Sequence, residues 1–291
     1  MIPAQFDYVR PAALHEALQI LVDRQGDAKI LSGGYSLLPL LKLRLASPAL
    51  LVDIRDIDGL DDIVETTNGL RIGGRATHRQ IHENPVVIAG YPLLVDAAGG
   101  IGDPQVRNWG TIGGSCAHAD PSSDWPAVLI ATNASIVLHS VSGSRTVPAR
   151  GFFLDTFQTA IEPTELLTEV IIPRAPRPSG AAYAKLERRA GDFATVGVAA
   201  QLSLGADGRI SAAGIGLTAV AEAPFAATGA EAALVGHEPN EATFQAAGIA
   251  AAAESRPGTD SHGPIEYKRA MVKEMVVRAL RSAATRAQAQ R

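Results

Sequence analysis

The sequence predicts an α+β protein with two main domains, the first of them subdivided, and three observations support this prediction. Strand and helix patterns alternate over residues 6–54, and hairpin patterns follow around Asn68-Gly69 and Ser142-Gly143. Beyond residue 180, three strand patterns precede three alanine-rich helical patterns. A chain of 291 residues, 46% of them apolar, is long enough to bury a substantial core in such an arrangement.

The first segment reads as a small α/β unit. Pro11 starts a run of apolar residues with the 3.6-residue period of an amphipathic helix, which extends to Val22. The other predicted elements are strands at 6–9, 28–31 and 50–54 and a short helix at 37–45. This β-α-β-α-β order favours a small parallel sheet.

The middle segment mixes hairpins with short helices. Asn68-Gly69 and Ser142-Gly143 are typical hairpin turns, and Thr77 is a suitable helix cap. The predicted elements are a hairpin at 60–75, helices at 78–84, 91–98 and 126–132, and strands at 134–139 and 165–172. Proline, glycine and charge at 174–180 then predict a linker.

The last segment is predicted as a sheet followed by helices. Asp207-Gly208 indicates a tight turn between the second and third strands. The strands are predicted at 181–186, 194–204 and 210–220, and the helices at 224–234, 241–253 and 266–287.

Composition excludes several classes of function. A net charge of −4 without a basic block argues against a nucleic-acid partner, and no apolar run reaches the length of a membrane span. The first residues lack the features of a signal peptide, so a cytoplasmic location is predicted. The single cysteine, Cys116, can form neither an internal disulfide nor an iron–sulfur site alone. His78 and His82 have no third ligand and are predicted to lie on a solvated helix face, so no metal site is expected.

Two Gly-Gly turns are the strongest functional signal. Glycine permits positive φ and close approach to the main chain, and successive N–H groups in such turns can bind an anion. The turns carry hydroxyl side chains beside the glycines, as would suit the two linked phosphates of a dinucleotide cofactor. They are Ser32-Gly33-Gly34-Tyr35-Ser36 and Thr111-Ile112-Gly113-Gly114-Ser115.

Other motifs leave alternatives open. Gly214 to Ala219 matches G-x-G-x-x-A but continues a strand, so small residues packed in a sheet explain it better than a dinucleotide fingerprint. Asp124 is either a helix cap or an acceptor for sugar hydroxyls. His118 is a structural residue or an acid–base group. Lys185 and Phe193 flank either a solvated hairpin tip or the electron-accepting edge of a flavin. Cys116 is expected to be a buried thiol, and Gly73-Gly74 an ordinary turn.

These residues resemble the medium, FAD-binding subunits of the molybdenum hydroxylases, over essentially the whole chain. The family's Ala-Gly-Gly-His/Gln-Ser motif corresponds to residues 32–36, and its Thr-Ile-Gly-Gly-Asn/Asp/Ser motif to residues 111–115. Residues 101–108, 119–126 and 191–194 are also similar to the family.

The resemblance implies a fold of three parts. A two-subdomain FAD-binding fold of the vanillyl-alcohol-oxidase (PCMH) type would occupy residues 1–57 and 58–175. The first subdomain would have a small parallel sheet and the second a larger mixed or antiparallel one. A C-terminal domain of three antiparallel strands and a helical bundle would occupy residues 178–291.

The resemblance also implies roles. The turn residues Ser32, Gly33, Gly34, Tyr35, Ser36, Thr111, Ile112, Gly113, Gly114 and Ser115 would hold the FAD pyrophosphate through backbone amides and hydroxyls. Asp124 would bind sugar or ribityl hydroxyls, and Ile101 and Leu167 would line the cofactor. Lys185 would lie at the flavin ring, with Phe193 near it. No catalytic residue and no metal ligand is implied on this chain.

The implied function is electron transfer within a heterotrimer. A large partner would carry molybdopterin and a small one [2Fe-2S] clusters, in a dimer of heterotrimers. Tyr35 replaces the histidine typical of the carbon monoxide dehydrogenases, which leaves the substrate open. A stand-alone FAD oxidase, with His118 as proton acceptor, and a non-catalytic nucleotide-binding scaffold are the alternatives.

Overall fold

A computed structural model describes residues 2–290 and begins with the expected parallel sheet. The sheet has the order β1-β3-β2, and both pairings are parallel. Helix α1 packs its apolar stripe of Ala17, Leu18 and Leu21 into the core of this unit. The elements are β1 (Asp7–Val9), α1 (Leu14–Arg24), β2 (Ala28–Leu31), α2 (Leu37–Lys42) and β3 (Leu50–Asp53).

A five-stranded antiparallel sheet of order β4-β5-β10-β6-β7 organises the middle of the chain. Its strands are β4 (Ile63–Thr66), β5 (Gly69–Gly73), β6 (Ser135–Ser140), β7 (Gly143–Pro148) and β10 (Leu166–Pro173). A separate hairpin joins β8 (Phe153–Asp155) and β9 (Gln158–Thr159). Both predicted hairpin turns are confirmed, since Gly69 and Gly143 have φ of 145° and 137°.

Six short helices lie between β5 and β6. They are α3 (His78–Glu83), α4 (Pro85–Gly90), α5 (Pro92–Gly99), α6 (Pro104–Trp109), α7 (Ile112–His118) and α8 (Asp124–Ala131). Thr77 caps α3 as predicted, in a reciprocal capping box with Gln80. Helix α8 is buried along its whole length, which places it between the middle sheet and the C-terminal part.

The C-terminal part corrects the expectation of three strands. Its antiparallel sheet has four, in the order β11-β12-β13-β14. The fourth is only two residues long and was missed because it is too short to show a period of two. The strands are β11 (Ser179–Leu186), β12 (Val196–Leu204), β13 (Ile210–Thr218) and β14 (Phe225–Ala226). Helices α9 (Thr228–Leu234), α10 (Glu241–Glu254) and α11 (Ile265–Gln288) follow.

The C-terminal sheet packs so closely on α8 that two of its glycines lie against the backbone of the helix. An added Cβ on Gly214 would lie 1.9 Å from the Ala131 carbonyl oxygen, and one on Gly216 would lie 2.0 Å from that of Ala127. The G-x-G-x-x-A match is therefore a packing feature, as the sequence context predicted. None of the helices in residues 2–290 combines the length and apolar character needed to cross a membrane.

Candidate cofactor site

The first Gly-Gly turn presents unpaired backbone donors. It connects β2 to α2, and Gly34 has φ of 81° there. Within residues 2–290, the N–H groups of residues 33–36 have no hydrogen-bond partner. Ser36 is the N-cap of α2 but makes no side-chain cap. Four successive free N–H groups form a concave donor surface of the kind that binds an anion.

The second turn meets the first through side chains. Thr111 Oγ1 lies 3.0 Å from Ser32 Oγ, although 79 positions separate the two residues. Gly33 packs against the backbone of Trp109, where an added Cβ would lie 1.9 Å from the carbonyl oxygen. The structure thus brings the two predicted turns together, and it places beside them the Trp109 carbonyl, which no sequence signal marks.

The N–H groups of the second turn, however, are used within the protein. Gly113 donates to the Gly74 carbonyl at 2.9 Å, and Gly114 donates to Thr111 Oγ1 at 3.0 Å. Ser115 donates to the Thr111 carbonyl at 3.0 Å and Ile112 to that of Ala76 at 3.0 Å. The hydroxyls of this turn are also hydrogen-bonded within the protein, Thr111 Oγ1 to the Gly114 N–H and Ser32 Oγ, and Ser115 Oγ to Ser123 Oγ. Each hydroxyl keeps the capacity for one further hydrogen bond.

Gly73-Gly74 is more than an ordinary turn. Gly74 joins the second turn to β10, because its N–H donates to the Thr168 carbonyl at 2.7 Å while its own carbonyl accepts from Gly113. A bulge between Leu167 and Glu169 displaces β10 at this point. The buried Leu167 consequently lies against Gly74, at the base of the second turn.

A cleft of about 340 Å³ opens beside the Ser32–Thr111 contact. Its cationic walls are already neutralised by ion pairs: Arg55 with Asp53, Arg75 with Asp61, and Arg79 with Glu83. Arg75 Nε is nevertheless buried without a hydrogen-bond partner within residues 2–290, so it is an uncommitted donor in this cleft beside the free N–H groups of the first turn.

A chain of polar contacts leads from the second turn to Lys185. Ser115 Oγ lies 2.6 Å from Ser123 Oγ, and Ser123 is the residue before α8. Asp124 is the first residue of α8 and does not cap it, so the cap interpretation was wrong. Asp124 Oδ2 instead accepts from Lys185 Nζ at 3.2 Å, and its Oδ1 accepts from the Tyr183 hydroxyl at 2.6 Å.

Burial controls the electrostatics of this cluster. Removal from water raises the pKa of Asp124 above its usual range, although the Lys185 ammonium and the Tyr183 hydroxyl oppose this change. Burial, followed by the nearby Asp124 charge, also raises the pKa of Tyr183. Each carboxylate oxygen of Asp124 still has a lone pair for a further donor, such as a sugar hydroxyl.

Ile101 and Phe193 lie next to this cluster. Lys185 donates to the Gly100 carbonyl at 3.0 Å, directly before Ile101. The loop that carries Phe193 packs on the same segment, since an added Cβ on Gly191 would lie 2.7 Å from the Gly102 carbonyl oxygen. Phe193 itself is 55% exposed, so its ring is available to cover a ligand.

His118 and Cys116 take structural positions. The His118 ring packs 5.0 Å from that of Phe157, and burial lowers the pKa of the imidazole. Cys116 is fully buried, which raises the pKa of its thiol. Cys116 therefore lacks the exposed, readily deprotonated environment of a nucleophile.

The prediction that His78 and His82 lie on a solvated helix face was wrong. His78 is buried and accepts a hydrogen bond from Trp125 Nε1 at 2.9 Å, through Nδ1. His82 Nδ1 lies 3.2 Å from the Val95 carbonyl oxygen. Both rings therefore face the helices α5 and α8, and helical periodicity alone could not distinguish this face from the solvated one.

Burial of His78 makes stability depend on pH. Desolvation lowers its pKa from 6.5 to about 4. As the pH falls below 6.5, the unfolded chain therefore binds a proton at this residue that the folded chain does not bind. The contribution of His78 to the free energy of unfolding is present above pH 6.5 and is lost progressively toward pH 4. Between pH 6.5 and 5 this residue is expected to cost about 2 kcal/mol, which urea unfolding at both pH values measures. His78→Gln should flatten this fall, whereas the exposed His15→Gln should not; an unchanged slope in His78→Gln would refute the assignment.

Comparisons with known proteins match almost the whole chain. The family described as the FAD binding domain in molybdopterin dehydrogenase matches residues 4–175, and the CO dehydrogenase flavoprotein C-terminal domain matches residues 181–283. The chain is 42% identical over 283 residues to the carbon monoxide dehydrogenase medium chain of Hydrogenophaga pseudoflava, covering 97% of this chain and 98% of that one. It is 36% identical over 279 residues to the nicotine 6-hydroxylase medium subunit of Paenarthrobacter nicotinovorans, covering 96% and 97%.

Solved structures agree as well. The chain superimposes with a TM-score of 0.95 on a chain of carbon monoxide dehydrogenase from Hydrogenophaga pseudoflava, at 44% identity, covering 98% of this chain and 99% of that one. It superimposes with a TM-score of 0.92 on a chain of quinoline 2-oxidoreductase from Pseudomonas putida 86, at 36% identity, covering 99% of each chain.

Proposed function

This chain belongs to the FAD-binding medium subunits of the molybdenum hydroxylase family, and on that premise we propose how it works. It carries FAD, receives electrons from [2Fe-2S] clusters on a small partner subunit and passes them to an external acceptor. Substrate is hydroxylated at the molybdopterin cofactor of a large partner. Bound FAD supplies the redox chemistry, so no side chain of this chain has to react.

One observation carries the cofactor assignment: the four free N–H groups of residues 33–36, opposite the Thr111 hydroxyl. They fit a pyrophosphate, because an anion satisfies donors that the protein leaves unpaired. In this proposal the first turn supplies backbone donors, and the second supplies the Thr111 and Ser115 hydroxyls. Ile112, Gly113 and Gly114 shape the second turn without donating.

The remaining site residues extend away from the pyrophosphate. Asp124 binds ribityl or sugar hydroxyls through its spare lone pairs, and Leu167 and Ile101 line the cofactor. Lys185 and Phe193 lie at the flavin ring. The contacts from Ser115 through Ser123 to Asp124 and Lys185 support this order along an extended ligand.

The proposal includes the organisation of the chain and its assembly. The FAD-binding subdomains would occupy residues 1–57 and 58–175 and the C-terminal domain residues 178–291. The relatives are named as medium chains or subunits, which supports assembly with a large and a small partner. We propose a dimer of these heterotrimers in the cytoplasm, which native mass measurement and cell fractionation test.

Cofactor selectivity tests the site. The purified complex is stripped of flavin in mild chaotrope and titrated with FAD, FMN or riboflavin while flavin fluorescence is followed. The pyrophosphate cradle predicts that FAD binds at least ~100-fold more tightly than FMN, because each charge-assisted hydrogen bond contributes about 1.5–3 kcal/mol. ADP should compete with FAD. Equal affinity for FMN and FAD, or no flavin binding, would reject the proposal.

A further inference from the structure

The Lys185 ammonium is surrounded by three oxygens. Gly100 O lies 3.0 Å from Nζ, Asp124 Oδ2 lies 3.2 Å away and Glu187 Oε2 lies 3.3 Å away. The lysine side chain is only 9% exposed. The ammonium donates hydrogen bonds to Gly100 O and Asp124 Oδ2, and Glu187 Oε2 lies beside it as an ion-pair partner.

The contact of Glu187 Oε2 with Lys185 differs from those of the other two oxygens. Its Oε2 is buried and makes no hydrogen bond within residues 2–290, although it lies at ion-pair distance from the ammonium. Its contact with Lys185 is therefore one of charge without hydrogen-bond geometry. Asp124, by contrast, is fixed by hydrogen bonds from both Lys185 and Tyr183.

The charges of this cluster do not cancel. Asp124 and Glu187 contribute two negative charges when ionised, and Lys185 contributes one positive charge, which leaves a net charge of −1. Water screens this charge poorly, because the side chains of Asp124 and Lys185 are 6% and 9% exposed. Glu187, at 26% exposure, lies on the solvent side of the cluster.

We propose that Glu187 is a positioning and potential-setting residue of the flavin site. It completes the oxygen cage that fixes Lys185, and its charge makes the cluster negative. This inference rests on the proposed function, which puts the flavin ring at Lys185. A negative charge there opposes the electron density that reduction adds to the ring, so Glu187 lowers the midpoint potential of bound FAD.

Redox titration of the purified heterotrimeric complex tests this. In Glu187→Gln, which keeps the shape of the side chain, the ratio of reduced to oxidised FAD at a fixed potential should rise about tenfold. For a two-electron couple this is a shift of ~30 mV to more positive potential. Glu187→Asp, which keeps the charge, should stay near the wild-type value.

The matched control is Glu238→Gln, which removes a charge from a side chain that is 66% exposed and outside the cluster. It should leave the midpoint potential unchanged. An FAD-loaded Glu187→Gln complex with the wild-type potential, or a lower one, would overturn the inference alone, and so would loss of FAD from this variant. A wild-type complex that binds no flavin would overturn the proposed function as well.

Discussion

Gly33→Ala is expected to weaken FAD binding by this chain severely. The added Cβ would lie 1.9 Å from the Trp109 carbonyl oxygen, a distance that no relaxation of a flexible side chain can relieve because the contact is with backbone. The first turn must then move away from Thr111, and its four free N–H groups no longer point toward a single anion. Because each charge-assisted hydrogen bond contributes about 1.5–3 kcal/mol, the loss of two raises the dissociation constant more than ~100-fold. Flavin fluorescence titration measures it.

Gly26→Ala is the matched control for Gly33→Ala. Gly26 precedes β2 in the same unit and has φ of 97°, but an added Cβ meets nothing within 4 Å. This variant therefore imposes backbone strain without disturbing the contact between the turns. It should lose about 1 kcal/mol of stability and keep its FAD affinity. A Gly33→Ala chain that binds FAD as tightly as the wild type would show that the turns do not need this close approach.

The two turns show what sequence could and could not predict about the site. Their glycines and hydroxyls mark them as a pair because residue type alone restricts those backbones. Which N–H groups remain free depends instead on tertiary contacts. Gly113 donates to Gly74, a residue 39 positions away that reads as a common turn. The different roles of the two turns therefore become visible only in the folded chain.

The residues that sequence missed are those whose role depends on a neighbour. Tyr183 lies on a strand with ordinary alternation, and only its hydrogen bond to Asp124 makes it part of the site. Glu187 resembles one charge in a solvated hairpin tip until Lys185 is found beside it. His78 occupies a regular helical position, and its burial follows from the packing of α3 on Trp125. Periodicity identifies elements well but does not identify which elements pack together.

Gly216→Val is expected to unfold the C-terminal part or to cost more than ~4 kcal/mol. Gly216 pairs with Ala199 on one side and Ala226 on the other, so β13 cannot shift sideways. Its added Cβ would lie 2.0 Å from the Ala127 carbonyl oxygen, in the middle of α8. The helix must move, and it carries Asp124 at its first residue. Urea unfolding measures the stability loss, and flavin titration measures the accompanying loss of FAD affinity.

Ala212→Val separates this effect from a general change in β13. Ala212 lies on the same strand and is exposed, and valine is favoured in strands, so the control should keep wild-type stability within about 0.5 kcal/mol. If Gly216→Val folded normally with full FAD affinity, the distance between α8 and the sheet would not position Asp124. If stability fell while FAD affinity was unchanged, the helix would support the fold but not the cofactor. Coupled loss is expected because one buried helix connects the two.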